Sequence, residues 1–421
     1  VKGVIVGEGL PGSEVTLAEV LSDAGYRTSH VGKWHQGDIA QSFPHNQGFD
    51  YAVFPVHQQV QLALMTDEGA DAFKLLGFAE KTQSNAFDMD KTFKPHGLVT
   101  GLEATKGGTA REVDLKTGET WTQKHYIEMN ERYQRQTLEQ LRELAQGDQP
   151  FFLQYWPLWP INFVNDQEQN LSRNGGHFAE KMQRLDGMLG EIFDEVDNLG
   201  LAENTIVMLM ADNGPMHVFP ASASGFNQLI YRGGKTEHLE GGVRVDAFIR
   251  WQGVIEPNSI ARDIVHVSDL YTTFARIGQA TKYVPTDRII DGVDQTSLLL
   301  KGENHGRRDY VFIYEGPVLR SVVKREFKMH LPAPGVPGAY AGVFNVLRDL
   351  REEDAFIGNS LWSSASFQNM VKRHKMMIAK YPHAELGRGR PYEGIENLRP
   401  ESVEAVSYTH LRSHETTSHI S

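Results

Sequence analysis

The stretch that decides the fold runs from Phe178 to Gly214 and reads FAEKMQRLDGMLGEIFDEVDNLGLAENTIVMLMADNG. Its apolar residues fall at Phe178, Met182, Leu185, Leu189, Ile192, Val196 and Leu199, in alternating steps of four and three. That spacing predicts a helix with one stripe turned to a core. Gly200 stops it. Thr205 to Met210 is a continuous apolar run with β-branched residues, the pattern of a strand buried on both faces. Ala211-Asp212-Asn213-Gly214 sits just past the end of that strand. A long helix, a short turn and a buried strand make the rhythm of a parallel α/β sheet. Ligands of such sheets bind at the carboxyl ends of the strands. Asp212 and Asn213 therefore occupy a favoured place.

The same rhythm appears near the start. Thr16 and Glu19 form a Thr-x-x-Glu capping box, with Leu17, Val20, Leu21 and Ala24 on one helical face. Gly25 ends that helix, and Arg27 to Val31 reads as a short strand leading into Gly32-Lys33-Trp34-His35. Residues 57–125 lack strong periodicity and read as a partly irregular insertion. Tyr126 to Ala145 reads as a polar, exposed helix, and Phe151 to Trp156 as a buried strand. Val245 to Trp251 is a further strand candidate, and Ser268 to Ile277 a helix. Beyond residue 300 the pattern changes. Asp309–Tyr314 and Leu319–Leu331 alternate like antiparallel strands, and Asn359 to Tyr381 has helical spacing. The expected organisation is a main α/β domain over 1–300, a smaller sheet-plus-helix unit over 301–405, and a tail over 406–421. The tail, rich in Ser, Thr and His, resembles translated vector or adapter sequence; its His410, His414 and His419 give metal binding as the other reading.

Composition narrows the function classes. The 421 residues carry a net charge of −12, which argues against a binder of nucleic-acid phosphates. The absence of Cys excludes disulfides, Cys-ligated zinc, Fe–S clusters and a thiol nucleophile within these residues. No run of apolar residues is long enough for a transmembrane helix. Periplasmic, secreted and cytoplasmic placements are all compatible with the composition.

Three groups of residues have chemical potential. Lys33 and His35 flank Trp34, and in extended backbone two such side chains point the same way. A cation and an imidazole facing one pocket suit an anionic substrate whose leaving group needs a proton; the other reading is a surface Lys and a structural His. Asp212 and Asn213 offer a carboxylate and an amide oxygen side by side, which suits a hard cation, or else Asp-Asn-Gly is turn chemistry. Arg232-Gly233-Gly234-Lys235 and Glu240-Gly241-Gly242-Val243-Arg244 are dense in glycine, which allows close approach of backbone to a ligand, with Lys235 available to an anion; a surface loop is the alternative. Trp156, Trp159 and Phe163 suit either an aromatic-lined mouth or core packing.

The order of these motifs along the chain closely resembles the sulfatases. The resemblance runs from Thr16-Leu17-Ala18-Glu19 through Gly32-Lys33-Trp34-His35 and Asn46-Gln47-Gly48-Phe49-Asp50 to Asp212-Asn213-Gly214. It continues through Arg232-Gly233-Gly234-Lys235, Glu240–Val245, His266–Phe274, Ile290–Asp294 and Phe344-Asn345 with Arg351-Glu352-Glu353, covering residues 10 to about 400. It implies an alkaline-phosphatase-like α/β fold: a mainly parallel sheet flanked by helices, with a smaller C-terminal antiparallel sheet plus helix. It also implies hydrolysis of an aryl or carbohydrate sulfate ester by a formylglycine, made from Cys or Ser, whose hydrate attacks sulfur. A divalent cation, Ca²⁺ or possibly Mg²⁺, would hold the sulfate oxygens as Lewis acid. By motif, Lys33 would contact the sulfate and the formylglycine, and His35 would orient the formylglycine. Asp212 and Asn213 would be metal ligands, and Lys235 would contact the sulfate.

Two departures from the family pattern stand out. The Cys- or Ser-x-Pro-x-Arg segment and an upstream Asp-Asp pair of metal ligands are not in the sequence; both are expected before Val1, making this an N-terminally truncated and inactive member. Family members also carry a His after the strand resembling Phe151–Trp156, as proton donor to the leaving group. Here the residues are Trp156-Pro157-Leu158-Trp159-Pro160-Ile161-Asn162-Phe163, and His177 and His217 are the candidate substitutes. The expected partner is a small sulfate ester, with no nucleic acid and no membrane span. A phosphonate or phosphodiester hydrolase of the same fold and a non-catalytic homologue are the rival readings.

Overall fold

The structure is a computed structural model, and it describes residues 7–55, 101–112, 123–159, 176–215, 230–332, 342–355 and 357–389. The chain forms two compact units, one of Val1–Ser22, Tyr26–Gln169 and Glu385–Ser421, the other of Asp23–Gly25 and Asn170–Ala384. Residue 300, the expected boundary, lies inside the second unit. Most of the insertion and all of the tail after residue 389 lie outside the described residues.

The first unit contains strands β1 (Glu8–Gly9), β2 (Arg27–Gly32), β3 (Tyr51–Phe54), β4 (Leu102–Thr105), β5 (Arg111–Glu112) and β6 (Phe151–Trp156). Five of them form one sheet in the order β5-β4-β3-β2-β6. Strand β2 runs parallel to both its neighbours, β3 and β6, whereas β4 and β5 add antiparallel at one edge. The short β1 pairs instead with Gly387–Arg388.

The helix Leu17–Asp23 precedes β2 with its capping box formed. The Thr16 N–H donates to Glu19 Oε2 at 2.6 Å, and the Glu19 N–H donates to Thr16 Oγ1 at 3.2 Å. The helix Gln123–Ala145 departs from its expected exposure. Tyr126, Met129, Tyr133, Thr137, Leu141 and Leu144 are buried along one face. Two tyrosines at steps of three and four count as apolar surface, and the polar composition hid them. The Tyr126 hydroxyl donates to Leu158 O at 3.0 Å, which satisfies the buried ring's polar end. Strand β6 is only partly buried on both faces.

In the second unit the helix Gly176–Asn198 forms as its periodicity predicts, but Met182, expected on the buried stripe, is exposed. Strand β7 (Val207–Met210) differs more. It pairs antiparallel with β8 (Ala247–Arg250) as a two-stranded sheet. It is half-buried, and Leu209 is exposed, so the expectation of burial on both faces fails. A continuous apolar run sets the strand, but its covering layer depends on residues far away in sequence.

The remaining strands are β9 (Tyr310–Glu315), β10 (Val318–Lys324), β11 (Phe327–His330) and β12 (Val343–Asn345), forming an antiparallel sheet in the order β12-β11-β10-β9. The expected strand Leu319–Leu331 is broken by a turn at Arg325, whose φ is +54°. The helix Ile357–Lys380 covers this sheet through Phe367 and Val371, which join Val322, Met329 and Val343 in one core. The smaller C-terminal antiparallel sheet with its helix is thus present. Among the described residues no helix is long and apolar enough to cross a membrane.

Candidate active site

In the first unit the chain leaves β2 through Gly32, whose φ is +100°. A Cβ there would lie 2.1 Å from Trp156 O, so only glycine lets the ends of β2 and β6 meet this closely. The next N–H, of Lys33, donates to the same carbonyl at 2.8 Å. Trp34 is buried and donates from its indole N–H to Ser42 O at 2.6 Å. Its ring stacks on Trp156, with centroids 5.9 Å apart, and His30 meets both rings edge-on at 5.0 and 5.1 Å. Full burial lowers the His30 pKa to about 4 despite a contact of its Nε2 with Gly32 O at 3.2 Å, so the ring is neutral.

Lys33 is buried and His35 half-buried. The expected alternation does not hold between them, because His35 has φ +55° and the backbone is not extended there. A left-handed conformation at a non-glycine residue is uncommon and clusters at functional positions. Trp156 and Trp159 resolve in favour of core packing. Trp156 packs against the buried cluster of Trp34, Phe43, Phe49 and Phe54, and Trp159 is buried edge-on to Tyr126. Phe163 and His217 lie outside the described residues, as does the side chain of His177.

In the second unit Asp212 and Asn213 follow β7 directly. The Asn213 amide Nδ2 donates to Asp212 Oδ1, so the two side chains are held together. Asp212 is exposed and Asn213 half-buried. The turn then locks onto the glycine-rich loop. The Gly214 N–H donates to Gly242 O at 3.1 Å, and the Lys235 N–H donates to Pro215 O at 2.7 Å. A Cβ on Gly214 would lie 1.7 Å from Gly241 O.

The glycines of the loop are used in the same way. Gly241 and Gly242 lie against the carbonyls of Arg232, Gly233, Gly234 and Glu237, closer than a Cβ would permit. The Gly241 N–H donates to Arg232 O at 2.8 Å, and the Gly234 N–H to Glu237 Oε2 at 2.8 Å. The loop of residues 232–244 is folded on itself and is not a slack surface loop. The structure thus joins the backbone of Lys235 to Pro215, at the end of the turn that holds Asp212 and Asn213, within one unit, while Lys33 and His35 share a loop in the other.

The donor set of Asp212 and Asn213 is all oxygen, as a hard cation requires. Hydrogen bonding through Nδ2 commits the amide nitrogen of Asn213 and not its oxygen. The pair fits Ca²⁺ or Mg²⁺ as part of a coordination sphere. Among the described residues no cluster of three or more His, Asp or Glu has metal-site spacing.

Sequence reasoning gave no role to His30, Lys328 or Glu240. His30 looked like any strand residue, and Lys328 like a surface lysine on an alternating strand. Both are fully buried.

Comparison with known proteins supplies an independent observation. A family model described as Sulfatase matches residues 2–280. The chain is 31% identical over 353 residues to the steryl-sulfatase of Rattus norvegicus, covering 75% of this chain and 60% of that protein. It is 29% identical over 415 residues to arylsulfatase A of Homo sapiens, covering 96% of this chain and 72% of that protein. The fold is shared with the crystal structure of the PsFucS1 sulfatase from Pseudoalteromonas sp., with a TM-score of 0.75 at 21% identity over 92% of this chain and 78% of that one.

Proposed function

The chain belongs to the sulfatase family, and from that premise we propose that the protein hydrolyses a sulfate ester to an alcohol and inorganic sulfate. The observation that supports this reading is the backbone bond that ties the Lys235 loop to the turn after Asp212 and Asn213, from the Lys235 N–H to Pro215 O at 2.7 Å. A lysine beside two hard-cation ligands is a place for a multiply oxygenated anion. It offsets the negative charge that moves onto oxygen as an S–O bond breaks.

Lys235 would donate a hydrogen bond to a sulfate oxygen, and Lys33 carries the family motif for the same role. His35, with its left-handed backbone, would orient the nucleophile. Asp212 and Asn213 would hold a divalent cation, Ca²⁺ in the first instance, through their side-chain oxygens. When bound, the cation supplies Lewis-acid polarisation of the sulfate, and a formylglycine hydrate supplies the nucleophilic oxygen. Residues 1–421 contain no Cys and no Ser-x-Pro-x-Arg, so this chain by itself is expected to release no sulfate.

The test uses an active enzyme that carries its nucleophile segment, assayed for sulfate release from an aryl sulfate. Lys33→Ala and Lys235→Ala are each expected to lower kcat by about 10²–10³, as loss of a preorganised donor does. Lys→Arg at either position is also expected to be poor, because a planar fork does not replace a point donor. Asp212→Ala is expected to lower bound Ca²⁺ as measured by calorimetry. A Lys235→Ala enzyme within twofold of the parent, or faster cleavage of a phosphodiester than of the sulfate ester, would overturn the reading. Turnover by residues 1–421 alone would overturn the assignment of the nucleophile.

A further inference from the structure

The glycine-rich loop that presents Lys235 is held by a buried group of charges from the C-terminal sheet. Lys328, on β11, has no exposed side-chain surface. Its Nζ lies 2.7 Å from Glu352 Oε1 and 3.0 Å from Glu240 Oε1. Glu240 belongs to the loop itself, and its backbone N–H donates to the same Glu352 Oε1 at 3.1 Å. The other oxygen of Glu352 meets His330 Nε2 at 3.1 Å. One carboxylate therefore ties together a lysine, a histidine and the backbone of the loop.

A second attachment lies beside the first. His238, also in the loop, directs its N–H and its Nδ1 to Glu315 Oε1 at 3.1 and 2.8 Å. Glu315 is anchored in turn by Arg320 at 2.7 Å, and the His238 ring lies edge-on to His330 with centroids 4.9 Å apart. Both attachments fall within five residues C-terminal to Lys235.

Such an arrangement is an expensive way to gain stability, because desolvating two carboxylates and a lysine offsets most of their attraction. What it does provide is geometry. A buried ion pair tolerates little displacement, since each partner left alone is an unpaired charge in a poor solvent. Backbone hydrogen bonds fold the loop on itself, and the buried charges tie it to the C-terminal sheet.

We propose that Lys328 and Glu352 are positioning residues, which set the place of Lys235 by clamping Glu240 and its loop to the C-terminal sheet. The proposal rests on the sulfatase reading for what Lys235 does, but not for the clamp itself. The clamp is tested in residues 1–421 without any assay of activity. Amide hydrogen exchange across residues 232–244 is expected to be at least tenfold faster in Glu352→Gln and in Lys328→Met, with exchange in the helix Val267–Ile277 unchanged. Glu352→Gln keeps the shape of the side chain and serves if Lys328→Met does not fold. Loop exchange within twofold of the parent in Glu352→Gln overturns the clamp.

The link to Lys235 is tested by a double-mutant cycle in the active enzyme. Glu352→Gln is expected to lower kcat about tenfold in the parent and less than twofold in the Lys235→Ala background. An equal loss in both backgrounds would mean that Glu352 acts on the whole unit and not through Lys235. An enzyme without sulfate-ester hydrolysis would defeat the sulfatase reading, while the exchange experiment would still decide the clamp.

Discussion

The two units each present a lysine from a loop at a strand end, and they hold those loops by different physics. Around Lys33 the packing among the described residues is largely aromatic. Trp34 and Trp156 stack, a neutral His30 fills the angle between them, and the backbone of Gly32 lies against Trp156. Around Lys235 the support is polar and partly ionic, with Lys328 between Glu240 and Glu352, and His238, whose pKa burial lowers, hydrogen-bonded to Glu315. The contrast follows from where each loop starts. The first leaves a strand with neighbours on both sides and can use the sheet's own apolar layer. The second has two glycine pairs, Gly233-Gly234 and Gly241-Gly242, and between them the side chains that anchor it, His238 and Glu240, are polar.

Substitutions at the glycines test the one feature that both supports share, backbone packed on backbone. Gly32→Ala and Gly214→Ala would place a Cβ 2.1 Å from Trp156 O and 1.7 Å from Gly241 O. Neither contact is compressible, and at Gly32 the φ of +100° adds strain. Each is expected to cost roughly 4 kcal/mol or more, at the extreme of single-residue effects. Urea unfolding would show it, and a loss below about 1 kcal/mol at either position would break the close-approach argument.

Acid titration separates the two kinds of support. Burial lowers His30 from 6.5 to about 4, so the folded chain resists protonation that the unfolded chain accepts. Its contribution is complete above pH 6.5 and declines as pH falls toward 4, by about 3 kcal/mol at about 1.4 kcal/mol per pH unit. In His30→Gln that decline should be absent, read from the fluorescence of the adjacent tryptophans. Glu352 behaves differently. Burial raises its pKa, but the His330 hydrogen bond and the Lys328 charge outweigh this and hold it below its ordinary 4.5. Its contribution is present above pH 4.5 and is lost only as pH falls through the lowered value. Glu352→Gln should therefore change the stability profile below pH 4.5 without altering its slope between 5 and 6.5.

The smallest effect is expected where neither kind of support operates. Arg27 on β2 and Glu143 on the helix Gln123–Ala145 pair at 2.6 Å, but both side chains are at least a third exposed. Glu143→Gln should cost about 0.5 kcal/mol or less, because solvent and salt screen exposed pairs. A larger loss would mean that ionic support matters in the first unit too, and would weaken the contrast.

Much of this was legible in the residues alone. The capping box of Thr16 and Glu19, the stop at Gly25, strand Arg27–Gly32 and the helices Gly176–Asn198 and Val267–Ile277 follow from rules that act over a few residues. So does the alternation that marks the antiparallel strands after residue 300. The order of the motifs, from Gly32-Lys33-Trp34-His35 to Arg232-Gly233-Gly234-Lys235, was enough to indicate the family that the comparison establishes.

Tertiary structure decided what each segment met. Val207–Met210 reads as a strand, but its pairing with Ala247–Arg250 and its half-exposed face depend on residues forty positions away. The polar helix Gln123–Ala145 turns two tyrosines inward only because the first unit offers them a core. His35 takes a left-handed backbone directly after the buried Trp34, which no alternation rule contains. Lys328 is the clearest case. On an alternating strand a lysine reads as solvent-facing, and it is buried here because two carboxylates, 88 and 24 residues away in sequence, meet it in the interior. Local periodicity and capping are written in neighbouring residues, whereas burial and charge pairing belong to contacts that exist only once the chain has folded.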